Sequence, residues 1–288
     1  MALAPKIDRL GFDGLAIGDH VFMPDTRQET YPTTYTGDKK WFKLDTPWPD
    51  PLILAAALGQ VAPRITILTS IYLLPLRHPL FAAKAAATVA RLTGGRFMLG
   101  IGVGWQREEF DTLGVDFDKR GGIANESIRA MRKLWQDDSV EHHGRHFSFG
   151  PLIFEPKPPP IPVIVGGSSE AAMRRAARLG DGYILPGISP DKVTPELELE
   201  RHSEALGRLH AALAAAGRDD PGFHVIVPCL NMPAEAVCSL LDLGANAITV
   251  MPWPYPAVQP LTVEAKLEHL ERYAQEQLPA IRHQSVAA

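Results

Sequence analysis

The chain has 288 residues, 45% apolar and 22% charged, with a formal net charge of -4, ordinary for a soluble globular protein. Charge is spread without single-sign blocks, and apolar runs of about ten residues fall short of the roughly 20 a membrane span needs, which excludes nucleic acid and membrane as partners. There is no basic-then-apolar leader, and Cys229 and Cys238 make neither a disulfide framework nor a CxxC site, so a compact cytoplasmic enzyme with a small-molecule substrate is expected.

In chain order, apolar, β-branched or glycine-ended runs at Gly14–Gly18, Ile65–Tyr72, Arg96–Val103, Pro162–Val165, Asp181–Leu185, Phe223–Val227 and Ala247–Met251 read as seven strands. Helical patterns lie between them. Phe81–Leu92 is Ala-rich and stops at Gly94-Gly95, and Ile128, Met131 and Trp135 recur at helical spacing. So do Leu206, Leu209 and Leu213 before Gly217, while Val263, Leu267 and Leu270 mark a C-terminal helix. Alternation of this kind implies a parallel sheet buried on both faces, and the absence of a switch-point fingerprint favours a closed barrel over an open sheet.

Two segments break the repeat inside what reads as one domain over residues 1–288. Residues 22–50 carry Tyr31, Tyr35, Trp41, Phe42 and Trp48 directly after the first strand, and read as a lid or as an aromatic cover. Residues 137–162 end in a stiff Pro-rich run.

In a barrel the residues at the C-terminal strand ends face the active site. These are Asp19-His20, Thr69-Ser70-Ile71, the run Gly100 to Trp105 containing Gly102 and Gly104, and Gly166-Gly167-Ser168-Ser169. His20 suits a general base or a hydrogen-bond donor to a ring, with a packed structural histidine as the alternative. Asp19, adjacent on the strand, points to the other face and reads as an orienting residue. The Gly166–Ser169 turn opens a helix and suits an anion, although either serine would cap that helix in any case. Gly100-x-Gly-x-Gly104 is not a dinucleotide motif, because Trp105 stands where the last glycine would be; its glycines leave room for a flat ligand. His142-His143-x-x-His146 has no matching carboxylate or cysteine set and reads as a solvated loop, with no metal assigned.

Taken in order, Leu10-Gly-Phe-Asp-Gly-Leu-Ala-Ile-Gly-Asp-His20, Leu68-Thr-Ser-Ile71, Arg77-His-Pro79 and Gly95-Arg-Phe-Met-Leu-Gly-Ile-Gly-Val-Gly-Trp105 resemble the luciferase-like superfamily of flavin and deazaflavin oxidoreductases. Glu108-Glu-Phe110, Gly144-Arg-His-Phe147, Pro160–Gly167 and Arg178–Tyr183 continue the resemblance. It implies a (β/α)₈ TIM-type barrel, with the first strand missing ahead of Leu10; an upstream start is the favoured expectation, with a differently closed barrel or a degraded member as the alternatives. It also implies a ring at the barrel mouth, a non-proline cis peptide at Ser70–Ile71, cofactor contacts at Asp19, Thr69, Ser70, Ile71, Gly102, Gly104 and Trp105, and phosphate contacts at Gly166, Gly167 and Ser168. His20 is the implied acid/base. One departure stands out: relatives that carry a proton-donating Glu after Gly-x-Gly have it where this chain has Trp105, and Glu108 or Glu109 lies one helical turn away.

The expected activity is hydride transfer between the deazaflavin coenzyme F420 and a small organic substrate. A reduced-FMN, O₂-dependent monooxygenase is the alternative, and a non-catalytic, flavin-binding or partner-dependent barrel the third. Aromatics in residues 22–50, with Trp253 and Tyr255, suggest an apolar or ring-bearing substrate, and a homodimer is the expected assembly.

Overall fold

The structure is a computed structural model that describes residues 1–25, 45–187, 194–230, 232–253 and 261–287, with side chains up to 282. Tyr31, Tyr35, Trp41, Phe42 and Tyr255 lie outside the described residues. Helix α1 (Ala4–Arg9) precedes β1 (Gly14–Ile17), and α2 (Pro51–Val61) leads to β2 (Thr66–Thr69) and β3 (Tyr72–Leu73). Then come α3 (Pro79–Leu92), β4 (Phe97–Gly102), a short α4 (Arg107–Thr112) and α5 (Arg120–Gln136). A hairpin of β5 (Val140–His143) and β6 (Ser148–Leu152) interrupts the alternation. It resumes with β7 (Val163–Gly166), α6 (Glu170–Leu179), β8 (Gly182–Ile184), α7 (Pro195–Ala215), β9 (His224–Cys229), α8 (Ala234–Asp242) and β10 (Ala247–Val250). Two more helices follow, α9 (Val263–Glu276) and α10 (Leu278–Ala287).

The helix starts are written in the sequence. Asp50, Ser169, Thr194 and Thr262 each cap a helix through a side-chain oxygen, and Pro51, Pro79 and Pro195 sit at first-turn positions where no N–H is needed.

The strands hydrogen-bond in the order β1-β2-β4-β7-β8-β9-β10, with β3 alongside the end of β4, and all these pairings are parallel. Sequential neighbours wrap into a nearly closed barrel. Side-chain alternation divides the core in two. Leu68, Ile164, Ile184 and Ile226 form the inner cluster with Met98 and Ala247, whereas Ile67, Phe97, Leu99, Val163, Val165, Tyr183, Val225 and Val227 join the larger cluster beneath the helices. All seven expected strands are present, with Ile65–Tyr72 divided into β2 and β3 by a cis peptide at Ser70–Ile71.

Among the described residues β1 and β10 end the hydrogen-bonded path and do not pair with each other. Helices α9 and α10 span that seam instead. Lys6 pairs with Glu271 at 2.5 Å, Phe12 stacks on Tyr273 at 6.2 Å between ring centroids, and Arg282 bonds Asp13 at 3.0 Å. No helix among the described residues is long and apolar enough to cross a membrane.

The region read as a solvated loop around His142 is a hairpin, because Glu126 on α5 gives its backbone a partner. The Glu126 carboxylate accepts from the N–H groups of Arg145, His146 and Phe147 at 2.8–3.1 Å and contacts His142 Nε2 at 3.1 Å. Burial opposes ionisation of Glu126, but those hydrogen bonds prevail and hold its pKa below the ordinary carboxylate value. The stabilisation is therefore complete above the unfolded-state carboxylate pKa and fades as pH falls through the lowered folded value. Hydrogen bonds to a charged group contribute about 1.5–3 kcal/mol each at most, so Glu126→Gln should lower Tm at pH 7 by about 4–8 °C. The gap to wild type should narrow steadily in melts taken toward pH 3.

Candidate active site

The mouth of the barrel is shaped first by what β4 and β7 omit. Their inward positions near the C-terminal ends are Gly100, Gly102 and Gly166, next to Met98 and Ile164. A Cβ on Gly102 would lie 1.8 Å from Ile71 Cδ1, and one on Gly166 would lie 2.8 Å from Ile71 Cγ2. Ile71, just after the cis peptide, thus fills the space these glycines vacate. The expectation that these glycines leave open room at the strand ends is corrected to this extent: their inner side is covered by Ile71. Thr69 lies beneath, fully buried, with its hydroxyl donating to Gly100 O at 2.7 Å. That bond ties the end of β2 to β4.

Asp19 and His20 follow β1 and take different partners, as adjacent residues on an extended chain should. Asp19 makes a bidentate pair with Arg77 at 2.5 and 2.8 Å and accepts from Leu73 N–H at 2.8 Å. Burial alone would lower the Arg77 pKa, but the bond and charge of Asp19 raise it overall. Arg77 also lies 4.5 Å from the centroid of the Tyr72 ring, whose own pKa burial pushes up to about 12. Asp19 therefore fixes the end of β1 against β3, consistent with an orienting residue.

His20 is 8% exposed and its Nδ1 lies 3.2 Å from Oε2 of Glu109, which is fully buried. Glu109 Oε1 accepts from Val21 N–H at 2.6 Å, and Gln106 Nε2 donates to Phe22 O at 2.9 Å. Trp48 and Trp105 meet the His20 ring edge-on, with centroids at 4.9 and 5.6 Å. Sequence reading leaves Glu108 and Glu109 undivided. Helical spacing separates them: Gln106, Glu109 and Phe110 share the buried face, while Glu108 is exposed.

At the other rim, Ser169 caps α6 by accepting from Ala172 N–H at 3.2 Å, and Ser168 is exposed beside it. Tyr183 Oη donates to Gly167 O and steadies the turn. Arg120 Nε donates to Gly104 O at 3.3 Å, and its guanidinium lies 3.7 Å from the Phe117 centroid. Arg175, 8% exposed on α6, donates to Asn125 Oδ1 at 2.5 Å and to Gly121 O at 3.2 Å. Among the described residues neither arginine has a carboxylate within ion-pair distance. Burial lowers both pKa values; the more distant Asp118 offsets part of this for Arg120, and each arginine feels a like charge, Arg107 on Arg120 and Arg120 on Arg175. Partly buried like charges without a paired carboxylate are costly, and an anionic group at this rim would relieve the cost. Sequence reading misses both residues, because an arginine at a helix start (Arg120) or within a helix (Arg175) is common.

Comparisons with known proteins place this chain in a family. The luciferase-like monooxygenase family matches residues 1–240, and the chain belongs to it. An uncharacterized protein of Mycobacterium tuberculosis is 32% identical over 278 residues, covering 95% of this chain and 92% of that protein. An FMNH(2)-dependent dimethylsulfone monooxygenase of Pseudomonas fluorescens is 36% identical over 182 residues, covering 59% of this chain and 50% of that enzyme. An F420-dependent secondary alcohol dehydrogenase, solved with an F420-acetone adduct, shares the fold with a TM-score of 0.74 at 15% identity, covering 98% of this chain and 94% of that one. The family is one of oxidoreductases and monooxygenases, and its fold serves both F420- and FMN-dependent chemistry.

The floor makes a direct prediction about packing. Gly102→Ala should destabilise the protein by about 1–3 kcal/mol through overpacking against Ile71, whereas in an Ile71→Ala background most of that cost should vanish. Denaturant unfolding of the two single variants and the double variant measures the coupling.

Proposed function

We propose that this protein is an oxidoreductase that moves a hydride between coenzyme F420 and a small organic substrate, with His20 exchanging the accompanying proton. The observation that carries the reading is the buried His20–Glu109 pair at the strand ends, beside two indoles that keep the site apolar. A deazaflavin, when bound, supplies the hydride chemistry. This chain would supply the rest: Ile71 would support the ring, Gly166, Gly167 and Ser168 would hold the phosphate, and Arg120 would offer it a positive charge. The shared fold of the F420-dependent secondary alcohol dehydrogenase supports this cofactor. The FMNH(2)-dependent relative supports the second reading, in which the same site holds reduced FMN and the reaction uses O₂.

Titration with F420 and, separately, FMN, followed by quenching of tryptophan fluorescence, tests the choice. Micromolar F420 binding with much weaker FMN binding is expected; the reverse order would replace the first reading with the second. Binding of neither would favour a non-catalytic barrel. Arg120→Ala should weaken binding at least about tenfold, while His20→Ala should leave it nearly unchanged and lower kcat about 10²–10⁴-fold.

The cytoplasm is the proposed location, and a second copy of the chain is the proposed partner. Helix α2 carries no charged residue, and Ile53 on it and Phe81 on the adjoining α3 are 74% and 77% exposed. Apolar side chains so exposed on neighbouring helices suit a two-fold contact. Sedimentation should show a dimer that the Ile53→Asp, Phe81→Asp variant converts to monomer without loss of helicity.

A further inference from the structure

We infer that Glu109 is a positioning residue that sets the tautomer of His20 and fixes the ring relative to the chain entering residues 22–50. The inference deepens the reading of His20 as the proton-exchanging group and rests on it.

Three hydrogen bonds from one face of the α4 turn reach three successive residues. Glu109 Oε2 meets His20 Nδ1, Glu109 Oε1 takes the Val21 N–H, and Gln106 Nε2 reaches the Phe22 carbonyl. Side chain and main chain of the same short segment are thus held from one support. Such an arrangement fixes the ring's direction as well as its place, because Trp48 and Trp105 pack against the ring near-perpendicular to it, at 4.9 and 5.6 Å between centroids. Neither Gln106 nor Glu109 has more than 1% of its surface exposed, so water does not compete for these bonds.

The chemistry of the donor set fixes the proton. An ionised carboxylate only accepts, so a neutral imidazole bonded to it carries its hydrogen on Nδ1 and its basic lone pair on Nε2. Nε2 then becomes the atom that takes up or gives the substrate proton, and the carboxylate balances the charge on the ring when it does. An amide in place of the carboxylate, as in Glu109→Gln, keeps the shape and reverses the bond. Its oxygen still accepts from Val21 N–H, but its NH₂ then faces Nδ1 and donates, moving the ring hydrogen to Nε2.

The experiment is Glu109→Gln in the full chain labelled with [¹⁵N]histidine, with the His20 resonances assigned by their loss in His20→Gln. Wild type should show the Nδ1–H tautomer and Glu109→Gln the Nε2–H tautomer. Gln106→Ala, which cuts only the Phe22 tether, should leave the hydrogen on Nδ1 and so separates tautomer control from general loosening of α4. Using whichever cofactor binds, Glu109→Gln should lower kcat about 10²–10⁴-fold, with KM and cofactor Kd within about threefold of wild type. An Nε2–H ring in wild type, or an unchanged tautomer in Glu109→Gln, would overturn the inference. If no reduced cofactor supports turnover in wild type, the reading of His20 as proton carrier fails, and the tautomer measurement still decides whether Glu109 positions the ring.

Discussion

The barrel mouth depends on the absence of side chains on the inner face of two neighbouring strands. β4 and β7 pair in register from Leu99↔Val163 to Ile101↔Val165, so Gly102 and Gly166 stand side by side at their ends. Any larger residue there would collide with Ile71, which comes over the strand ends immediately after β2. A packed interior normally continues up such a barrel as layers of branched side chains, and the layer of Leu68, Ile164, Ile184 and Ile226 does so. Above it the glycines lower the floor by one layer, and Ile71 forms an apolar surface in their place. Ile71 thus occupies the place that a further layer of branched side chains would fill.

Around that floor, charge is treated in two contrasting ways. Asp19 and Arg77 are matched in number, geometry and hydrogen bonds, with the Leu73 N–H using a further lone pair of the carboxylate. Such a pair is stiff, and replacing one member would leave a buried charge alone. Arg120 and Arg175 are the opposite case, with donors directed at neutral acceptors, mainly main-chain carbonyls, and like charges nearby. The first arrangement spends its charge on structure. The second leaves positive potential at the rim beside the Gly166–Ser169 turn, where the start of α6 adds its own N–H groups.

The strands are legible in the sequence because each is a short run bounded by glycine, proline or a polar turn, and their order is enough to imply a barrel. The resemblance of Gly95–Trp105 and Pro160–Gly167 to known motifs locates the mouth. Legibility fails where a single side chain on another element decides the outcome. The hairpin at Val140–Leu152 reads as loop because its exposed residues are charged, aromatic and glycine in no clear alternation; Glu126, on α5, supplies the missing order. Ile71 is legible as a site residue, but its packing against Gly102 and Gly166 is not, since those contacts join three separate strand ends. Glu109 is nearly legible. Its spacing from Gln106 and to Phe110 marks the buried face of a turn too short to carry a strong periodic signal.

Among the described residues β1 lies at one end of the hydrogen-bonded path, with a partner strand only on the β2 side, yet it delivers Asp19 and His20. An edge strand lacks half the backbone bonds that hold an interior one. The ion pairs across the seam add little in compensation, since Lys6–Glu271 and Arg282–Asp13 are exposed pairs of small energetic worth. The end of β1 is instead held by side chains from the interior of the sheet order: Arg77 after β3 grips Asp19, and Gln106 and Glu109 after β4 grip His20, Val21 and Phe22. These same elements flank the Ile71 floor. His20 and the Ile71 surface are thereby tied to one support, and their separation is insulated from movement at the seam.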